Sequence, residues 1–205
     1  MLTLEEGAIL VRTARKAFFS LLEQNESLET LQRVSSRLEE KRGAYVRVGV
    51  FAGQGPNEQE IILGFTGYPM PNRSLYQSVI DASEAIAVRT VLLPEERNKI
   101  SFEVTALSAP KALKAEAPGQ IAAMVKLGRD ALMVSSGLNR AMVLPQTAVK
   151  SCRNEAEFLS ECCMAAGLIA DAWLTMPEIS LLTFEAQIFR EIDDDKKVLE
   201  ICPPR

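Results

Sequence analysis

Strand-like and helix-like segments follow one another along this chain without a repeating strand–helix–strand order, and this irregularity restricts the fold more than any other feature. Residues 43–51 alternate with period two, placing Val46, Val48 and Val50 on one side, and residues 60–65 read as the returning strand of a hairpin. Parallel sheets require regular crossover connections. The pattern therefore predicts an α+β fold, with a largely antiparallel β-sheet flanked by helices.

Residues that cap helices predict where several helices begin and end. Thr3 and Glu6 form a capping box that predicts a first helix ending near 24–25. Asn154 and Glu157 are spaced in the same way, and Gly167 suits the residue just beyond that helix. The other helices are predicted at 28–39, at 73–89 and from Pro145.

The remaining segments predict strands and connections. Turn residues at 52–57 join the first hairpin, and 108–119 reads as a linker or an excursion. The further strands are predicted at 101–106, at 124–134 paired with 140–144, and at 178–189.

Length and composition suit one main domain. The chain has 205 residues, of which 47% are apolar and 24% are charged, which is enough for a real core. We expect a single α+β domain over 1–190, with a small subdomain within about 108–150, followed by a charged tail at 191–205.

Charge and hydropathy exclude several classes of partner. The net charge of −4 disfavours nucleic-acid binding, which usually needs a basic surface. The N-terminus lacks the pattern of a signal peptide, and no apolar run approaches the roughly 18 residues of a membrane helix. We expect a cytoplasmic protein with no membrane association.

The absence of histidine limits the chemistry. Ser-His-Asp and Cys-His arrangements are excluded, and the commonest zinc ligand is missing. The four cysteines form no CxxC pair, and Cys162 and Cys163 read as small buried hydrophobic residues on a helix. We expect no metal and no cofactor; acid–base chemistry would fall to carboxylates, Lys, Tyr or Cys.

Several segments, in this order, resemble the AMMECR domain family, whose prokaryotic members carry the label AmmeMemoRadiSam system protein A. The matching segments run over nearly the whole chain, from the first helix to about Phe189. They are Glu40-Lys41-Arg42-Gly43, Gly128-Arg129-Asp130-Ala131-Leu132, Leu144-Pro145-Gln146 with Ala148, Glu157-Phe158-Leu159, Ala166-Gly167-Leu168, Asp171-Ala172-Trp173, and Phe184-x-Ala186-Gln187-x-Phe189.

The resemblance implies an antiparallel sheet with flanking helices, a smaller subdomain and a cleft between them. It also implies, by association only, a Memo-like protein and a radical SAM enzyme as partners in a modification pathway. The family signature Leu-Arg-Gly-Cys-Ile-Gly corresponds here to residues 62–67, where Leu63 replaces the arginine and Phe65 replaces the cysteine. A catalytic thiol or an anion-binding arginine is therefore not carried over.

The signature segment supplies the first candidate ligand-binding residues, Gly64, Phe65, Thr66 and Gly67. The two glycines are expected to flank a strand end. They can serve a bulge or a turn, or they can let a ligand approach the backbone closely.

Charged and amide residues supply the other candidates. Arg129 and Asp130 form either a turn-stabilising ion pair or an anion-binding arginine with a base. Gln146 begins a helix and Gln187 faces away from the core stripe of its strand, so each is either a structural polar residue or a ligand contact. Lys41 and Arg42 read as solvated charges, or as an anion site together with Arg129.

Three functional hypotheses remain open on the sequence. The first is an accessory or binding protein of a modification pathway, with a cleft for a small anionic or carbonyl-bearing molecule near residues 64–67, Arg129 and Gln187. The second is a histidine-independent enzyme in which the protons are transferred by Asp130, a Lys or a Tyr, or by a partner's cofactor. The third is a protein-interaction module with an exposed apolar patch and no ligand.

Overall fold

The computed structural model divides the chain into two compact units, which we describe separately. Unit 1 comprises Met1–Ala106 and Gln187–Ile201, and unit 2 comprises Leu107–Ala186 and Cys202–Arg205. The structure describes residues 1–23, 35–52, 59–115, 117–192 and 196–203.

Unit 1 contains an antiparallel sheet with helices packed against it. Its strands are β1 (Ala44–Ala52), β2 (Gln59–Tyr68), β3 (Ile100–Leu107), the second half of β7 (Ser180–Glu191) and β8 (Val198–Ile201). The strand order is β2-β1-β3-β7, with β8 also paired to β7. Its helices are α1 (Leu4–Leu22), α2 (Ser36–Glu39) and α3 (Leu75–Ala87), and a 3-10 helix covers Pro94–Lys99.

Alternation on the strands builds the core of unit 1. Val46, Val48 and Val50 are buried against helices α1 and α3, in a cluster that also contains Phe18 and Phe102. Each fully buried side chain of this size contributes about 1.5–3 kcal/mol relative to exposure. The opposite side chains of β1 are therefore left to a second, more polar face of the sheet.

A buried ion pair fixes α1 to the sheet. Arg15 donates to both carboxylate oxygens of Glu191 at 2.9 and 2.6 Å, and Glu191 also accepts the backbone N–H of Phe102 at 3.0 Å. The Arg15 guanidinium lies 4.8 Å from the centroid of the Phe102 ring. Glu191 is 2% exposed, so this carboxylate is stabilised by the bonds it accepts.

Unit 2 has its own core. Its strands are β4 (Lys111–Ala112), the first half of β7, β5 (Asp130–Ser136) and β6 (Asn139–Val143), all antiparallel. They belong to the same eight-stranded sheet, in the order β2-β1-β3-β7-β5-β6. A 3-10 helix covers Pro118–Met124, and the α-helices are α4 (Pro145–Ser151), α5 (Glu155–Ala165) and α6 (Ala172–Thr175). Helix α5 packs Phe158, Leu159 and Cys162 into this core.

The predicted fold class is confirmed: helices accompany an antiparallel sheet. The Thr3 and Asn154 caps are present, and Gly167 has φ +76°. The turn predicted at 52–57 and much of the helix predicted at 28–39 lie outside the described residues. The predicted 191–205 tail contains strand β8.

One predicted strand was placed wrongly. The strand expected over 124–134 begins only at Asp130, after the 3-10 helix and a turn. Gly128 has φ +83° in that turn, a conformation that interrupts a strand and favours glycine. The paired strand and the hairpin at 135–139 are as predicted.

Candidate functional site

The face of the unit 1 sheet opposite the valine core carries most of its charged side chains. Because β1 is paired to both β2 and β3, Arg47 lies between Phe65 on one strand and Glu103 on the other. We call this surface the polar face. Its residues are Tyr45, Arg47, Gly49, Glu60, Ile62, Phe65, Gly67, Ser101, Glu103, Thr105 and Arg190.

Two guanidinium groups converge on one carboxylate on the polar face. Arg47 Nη2 donates to Glu60 Oε2 at 2.6 Å, and Arg190 Nη2 donates to the same oxygen at 2.5 Å. Arg47 and Glu60 come from the hairpin strands β1 and β2, whereas Arg190 comes from β7, 130 residues after Glu60. Charge-assisted bonds of this length are the stronger class of protein hydrogen bond.

A glycine and a serine complete the surroundings of this carboxylate. Ser101 Oγ donates to Glu60 Oε1 at 3.1 Å. A Cβ atom at Gly49 would lie 2.5 Å from the same oxygen, so a side chain there would displace the Glu60 carboxylate from its present position. Glu103 lies behind the cluster, 3.6 Å from Arg47 and 4.0 Å from Arg190.

The environment of Glu60 favours its ionised form. Burial is the largest single influence and acts to raise the pKa of this carboxyl. The charges of Arg190 and Arg47 and the hydrogen bonds from Arg47 and Ser101 together outweigh it, so the pKa lies below the ordinary value. Glu60 therefore remains a charged partner of both arginines at neutral pH.

An aromatic pair lies beside the charged cluster. The rings of Tyr45 and Phe65 stack with centroids 5.3 Å apart and planes 19° apart. Burial raises the pKa of the Tyr45 phenol. Phe65 is nevertheless 49% exposed, and its neighbours on β2, Ile61 and Ile62, are 53% and 56% exposed.

The signature segment lies inside a strand, which corrects the expectation that its glycines flank a strand end. Strand β2 continues to Tyr68, and its register shifts once, between the pairs that join Gly64 to Val48 and Ile62 to Gly49. A Cβ atom at Gly64 would meet Ile86 of α3 at 2.3 Å. Thr66 pairs with Val46.

Gly67 is needed for the approach of β2 to β1. A Cβ atom there would lie 2.3 Å from the carbonyl oxygen of Ala44 and 2.5 Å from Tyr45 Cγ. Packing therefore accounts for both signature glycines, and it is this packing that sets Phe65 against Tyr45.

Arg129 and Asp130 form a local ion pair in unit 2. Arg129 donates to both oxygens of Asp130 at 2.7 and 2.9 Å, and Asp130 also accepts the backbone N–H of Lys126 at 2.8 Å. Asp130 is 1% exposed. Its hydrogen bond is the largest of the influences that raise the pKa of Arg129. The carboxylate thereby closes the turn that precedes β5.

Gln187 is buried in unit 1, where its side-chain amide forms three hydrogen bonds. It accepts the N–H of Leu2 at 2.7 Å and donates to the carbonyl oxygen of Leu2 at 3.2 Å and to Glu200 at 3.1 Å. The structure thus places Gln187 between the first residues of the chain and β8. Gln146 is the second residue of α4 in unit 2, where it is half-buried.

Lys41 and Arg42 precede β1 in unit 1 and belong to a segment held against α3. Lys41 forms a β-bridge with Ser74, and the carbonyl oxygen of Arg42 accepts the Ser78 hydroxyl at 3.1 Å. Burial lowers the pKa of Arg42, against the opposing charges of Glu40 and Glu6. The Lys41 side chain is exposed.

The helix thiols are buried, as the sequence predicts for Cys162 and Cys163. Burial raises the pKa of Cys162 to about 12, and it also raises the pKa of Cys163 and of Cys152. A raised pKa lowers the thiolate fraction, so these groups are poor nucleophiles. Cys202 is exposed.

The predicted candidates fall into separate groups. Residues 64–67 lie together on β2, and Arg129 pairs with Asp130 in the other unit. Sequence reasoning missed the cluster of Arg47, Glu60 and Arg190. Its only signal was alternation, because Arg47 and Glu103 each lie opposite a buried apolar stripe.

The described residues contain no group of three or more acidic or cysteine side chains arranged to hold a metal ion. Within the same described ranges, no helix is both long enough and apolar enough to span a membrane.

The architecture defines an α+β protein with an antiparallel sheet, and a solved structure shares it. The crystal structure of an uncharacterised protein, PH0010, from Pyrococcus horikoshii aligns with a TM-score of 0.83, at 29% identity, over 97% of each chain.

Sequence comparison identifies the family. The AMMECR1 family model matches residues 11–189, and the chain belongs to this family. A Methanopyrus kandleri protein, MK0488, is 34% identical over 97% of this chain and 95% of its own length. A Methanosarcina barkeri protein, Mbar_A1807, is 34% identical over 98% of this chain and 97% of its own length.

Proposed function

We propose that this chain is a cytoplasmic accessory protein that binds a protein partner through the exposed apolar side chains of β2. The observation that carries the proposal is Phe65, which is 49% exposed and yet held in one orientation by its stack on Tyr45. A rigid aromatic side chain loses little conformational entropy on binding, which is why aromatic residues are enriched among the residues that dominate interface energetics.

The neighbours of Phe65 support an interface rather than a single exposed residue. Ile62 precedes it on the same strand and lies on the same face, as the cross-strand partner of Gly49, and it is 56% exposed. Ile61 is also exposed, but it pairs with Val50 and lies on the opposite face of the sheet. In the order of the described strands, β2 is the outermost. Contiguous exposed apolar side chains on a soluble protein commonly mark interaction sites.

The family label suggests which partners to test first. Memo-like and radical SAM proteins are associated with the family, and the signature segment of the family coincides with the exposed part of β2. The chemistry expected of the partner is an apolar patch, which would cover Phe65 and Ile62.

The test is binding of the purified chain to a Memo-like protein and to a radical SAM protein from the same genome, by calorimetry and pull-down. The variants Ile62→Lys and Phe65→Lys are expected to weaken binding by 10-fold or more, about 1.4 kcal/mol. The control is Leu138→Lys, because Leu138 is an exposed apolar residue that lies in the β5–β6 hairpin of unit 2.

Equal binding by the wild type and both β2 variants would remove this proposal. A concentration-dependent dimer that is lost in both variants would instead identify a second copy of the chain as the occupant of the β2 surface.

A further inference from the structure

The groups around the Glu60 carboxylate resemble those of a carboxylate-binding site, in which the Glu60 side chain takes the position of the ligand. Two arginines and a serine hydroxyl bond its oxygens, and the backbone of Gly49 leaves the space beneath it. Protein sites that bind free carboxylates use the same components, namely paired guanidinium groups, a hydroxyl donor and close backbone approach.

We propose that Arg47, Arg190 and Ser101 form a binding site for a small apolar monocarboxylate, which takes the place that Glu60 occupies here. This inference involves Phe65 and Ile62, which also form the proposed partner surface, but it does not require that partner. Binding is an exchange of one carboxylate for another, so no bond is made or broken.

The charges select a monocarboxylate. The cluster contains two guanidinium groups and two carboxylates, Glu60 and Glu103, and is formally neutral. A bound monocarboxylate in place of Glu60 leaves that balance unchanged once the displaced Glu60 side chain has turned out into solvent. A dianion such as sulfate or phosphate would leave an excess negative charge beside Glu103, which is disfavoured at a partly desolvated site.

The neighbouring side chains select an apolar ligand. Phe65 is the direct cross-strand partner of Arg47, and Ile62 is the partner of Gly49. Side chains in such positions are about 4.5–5.5 Å apart at their Cβ atoms. A ligand whose carboxylate meets Arg47 therefore has its carbon skeleton beside Phe65 and Ile62, which gain contact area by covering it.

The cluster of Arg47, Glu60 and Arg190 is partly exposed to solvent. The side chains of Arg47, Arg190 and Glu60 are 17%, 27% and 14% exposed. By contrast, the Glu191 carboxylate, which pairs with Arg15 in the same unit, is 2% exposed, although Arg15 itself is 22% exposed. The carboxylate position is thus more accessible to solvent at Glu60 than at Glu191.

The experiment is calorimetric titration with sodium benzoate at constant ionic strength. The wild type is expected to bind it weakly and saturably, because Glu60 competes. Glu60→Gln keeps the shape of the side chain but removes its charge, and is expected to tighten benzoate binding by 10-fold or more, about 1.4 kcal/mol. Adding Arg190→Gln to Glu60→Gln should abolish binding.

Matched controls separate this site from general anion effects. Glu185→Gln removes a carboxylate paired to Lys111 in unit 2 and should bind benzoate as the wild type does. Benzamide has the same ring without the charge and should not bind, acetate should bind more weakly than benzoate, and sulfate should not compete.

If Arg47, Glu60 and Arg190 have only a structural role, Glu60→Gln will bind benzoate no more tightly than Glu185→Gln does. That result overturns the proposal. If Glu60→Gln does not fold, the test is the change in the backbone amide chemical shifts of the wild type on adding benzoate. Saturable changes at Arg47, Gly49 and Phe65 support the site. No change up to 50 mM benzoate, about 50 times a millimolar Kd, overturns it. Because no protein partner is present, neither result depends on the function proposed for β2.

Discussion

Two ion-pair systems in this molecule are built in opposite ways. In unit 2, Arg129 and Asp130 are sequence neighbours, and the carboxylate closes its own turn by accepting the Lys126 N–H. In unit 1, Arg47, Glu60 and Arg190 come from three different strands and meet on the polar face. The comparison indicates that the local pair serves the backbone around it, whereas the non-local cluster gathers charge at a surface that no single segment specifies.

The largest effect is expected at the local pair. Asp130→Ala removes the buried carboxylate that accepts the Lys126 N–H and pairs with the half-exposed Arg129, so we expect the free energy of unfolding to fall by about 2–3 kcal/mol. Urea denaturation measures this. Lys111→Ala, which breaks an exposed pair with Glu185, is the control and should change stability by less than about 0.5 kcal/mol. A small effect of Asp130→Ala would mean that this carboxylate does not hold the turn.

The next largest effect is expected at Gly49, which lies against the Glu60 carboxylate of the non-local cluster. Gly49→Ala places a methyl group where Glu60 lies, so we expect a loss of about 1–2 kcal/mol as the carboxylate is displaced from its arginines. Gly119→Ala is the control, because a Cβ atom there meets nothing within 4 Å. In a double-mutant cycle, Glu60→Ala should remove most of the Gly49→Ala penalty. Additive losses would show that Gly49 and Glu60 do not interact.

The same cluster predicts a pH dependence. The arginines hold the pKa of Glu60 below its ordinary value of 4.5. A lowered pKa in the folded state contributes stability that is fully present above about pH 4.5 and is lost as the pH falls through the folded-state pKa. The stability difference between wild type and Glu60→Gln should therefore be largest near neutral pH and shrink in acid. A difference that is constant from pH 7 to pH 3 would contradict the pairing.

The smallest effect on stability is expected at the aromatic pair. Phe65→Ala removes the stack on Tyr45, but the ring is half exposed, so the loss should be below about 1 kcal/mol by thermal or urea unfolding. Phe184→Ala, at a fully buried position, is the contrast and should cost about 3–5 kcal/mol. A Phe65 penalty approaching that of Phe184 would assign Phe65 to the core instead of to a binding surface.

Local patterns in the sequence predicted the elements that depend on local physics. The alternation of Val46, Val48 and Val50 predicted β1, and Asn154 with Glu157 predicted the start of α5. The strand predicted from residue 124 was wrong, because Val125 is buried in a turn region and an apolar run without alternation does not distinguish a buried turn from a strand.

The polar face could not be predicted in the same way. Its charged cluster depends on β1 pairing with β3 across an intervening strand and helix, and on β7 reaching the same sheet from the other end of the chain. Periodicity and the predicted hairpin place Arg47 and Glu60 on neighbouring strands, but they do not give the register shift that sets the position of Glu60. The approach of Arg190 is decided by long-range strand order, which residue spacing does not encode.

The register shift in β2 has a consequence for solubility. An outermost strand offers a row of backbone N–H and C=O groups to any other extended chain, which is how sheets grow into aggregates. Leu63 is the extra residue at the shift, so that row is divided into two runs that a straight strand cannot match together. Strand β2 can therefore leave Ile62 and Phe65 exposed to solvent while it disfavours the continuous backbone pairing through which sheets aggregate.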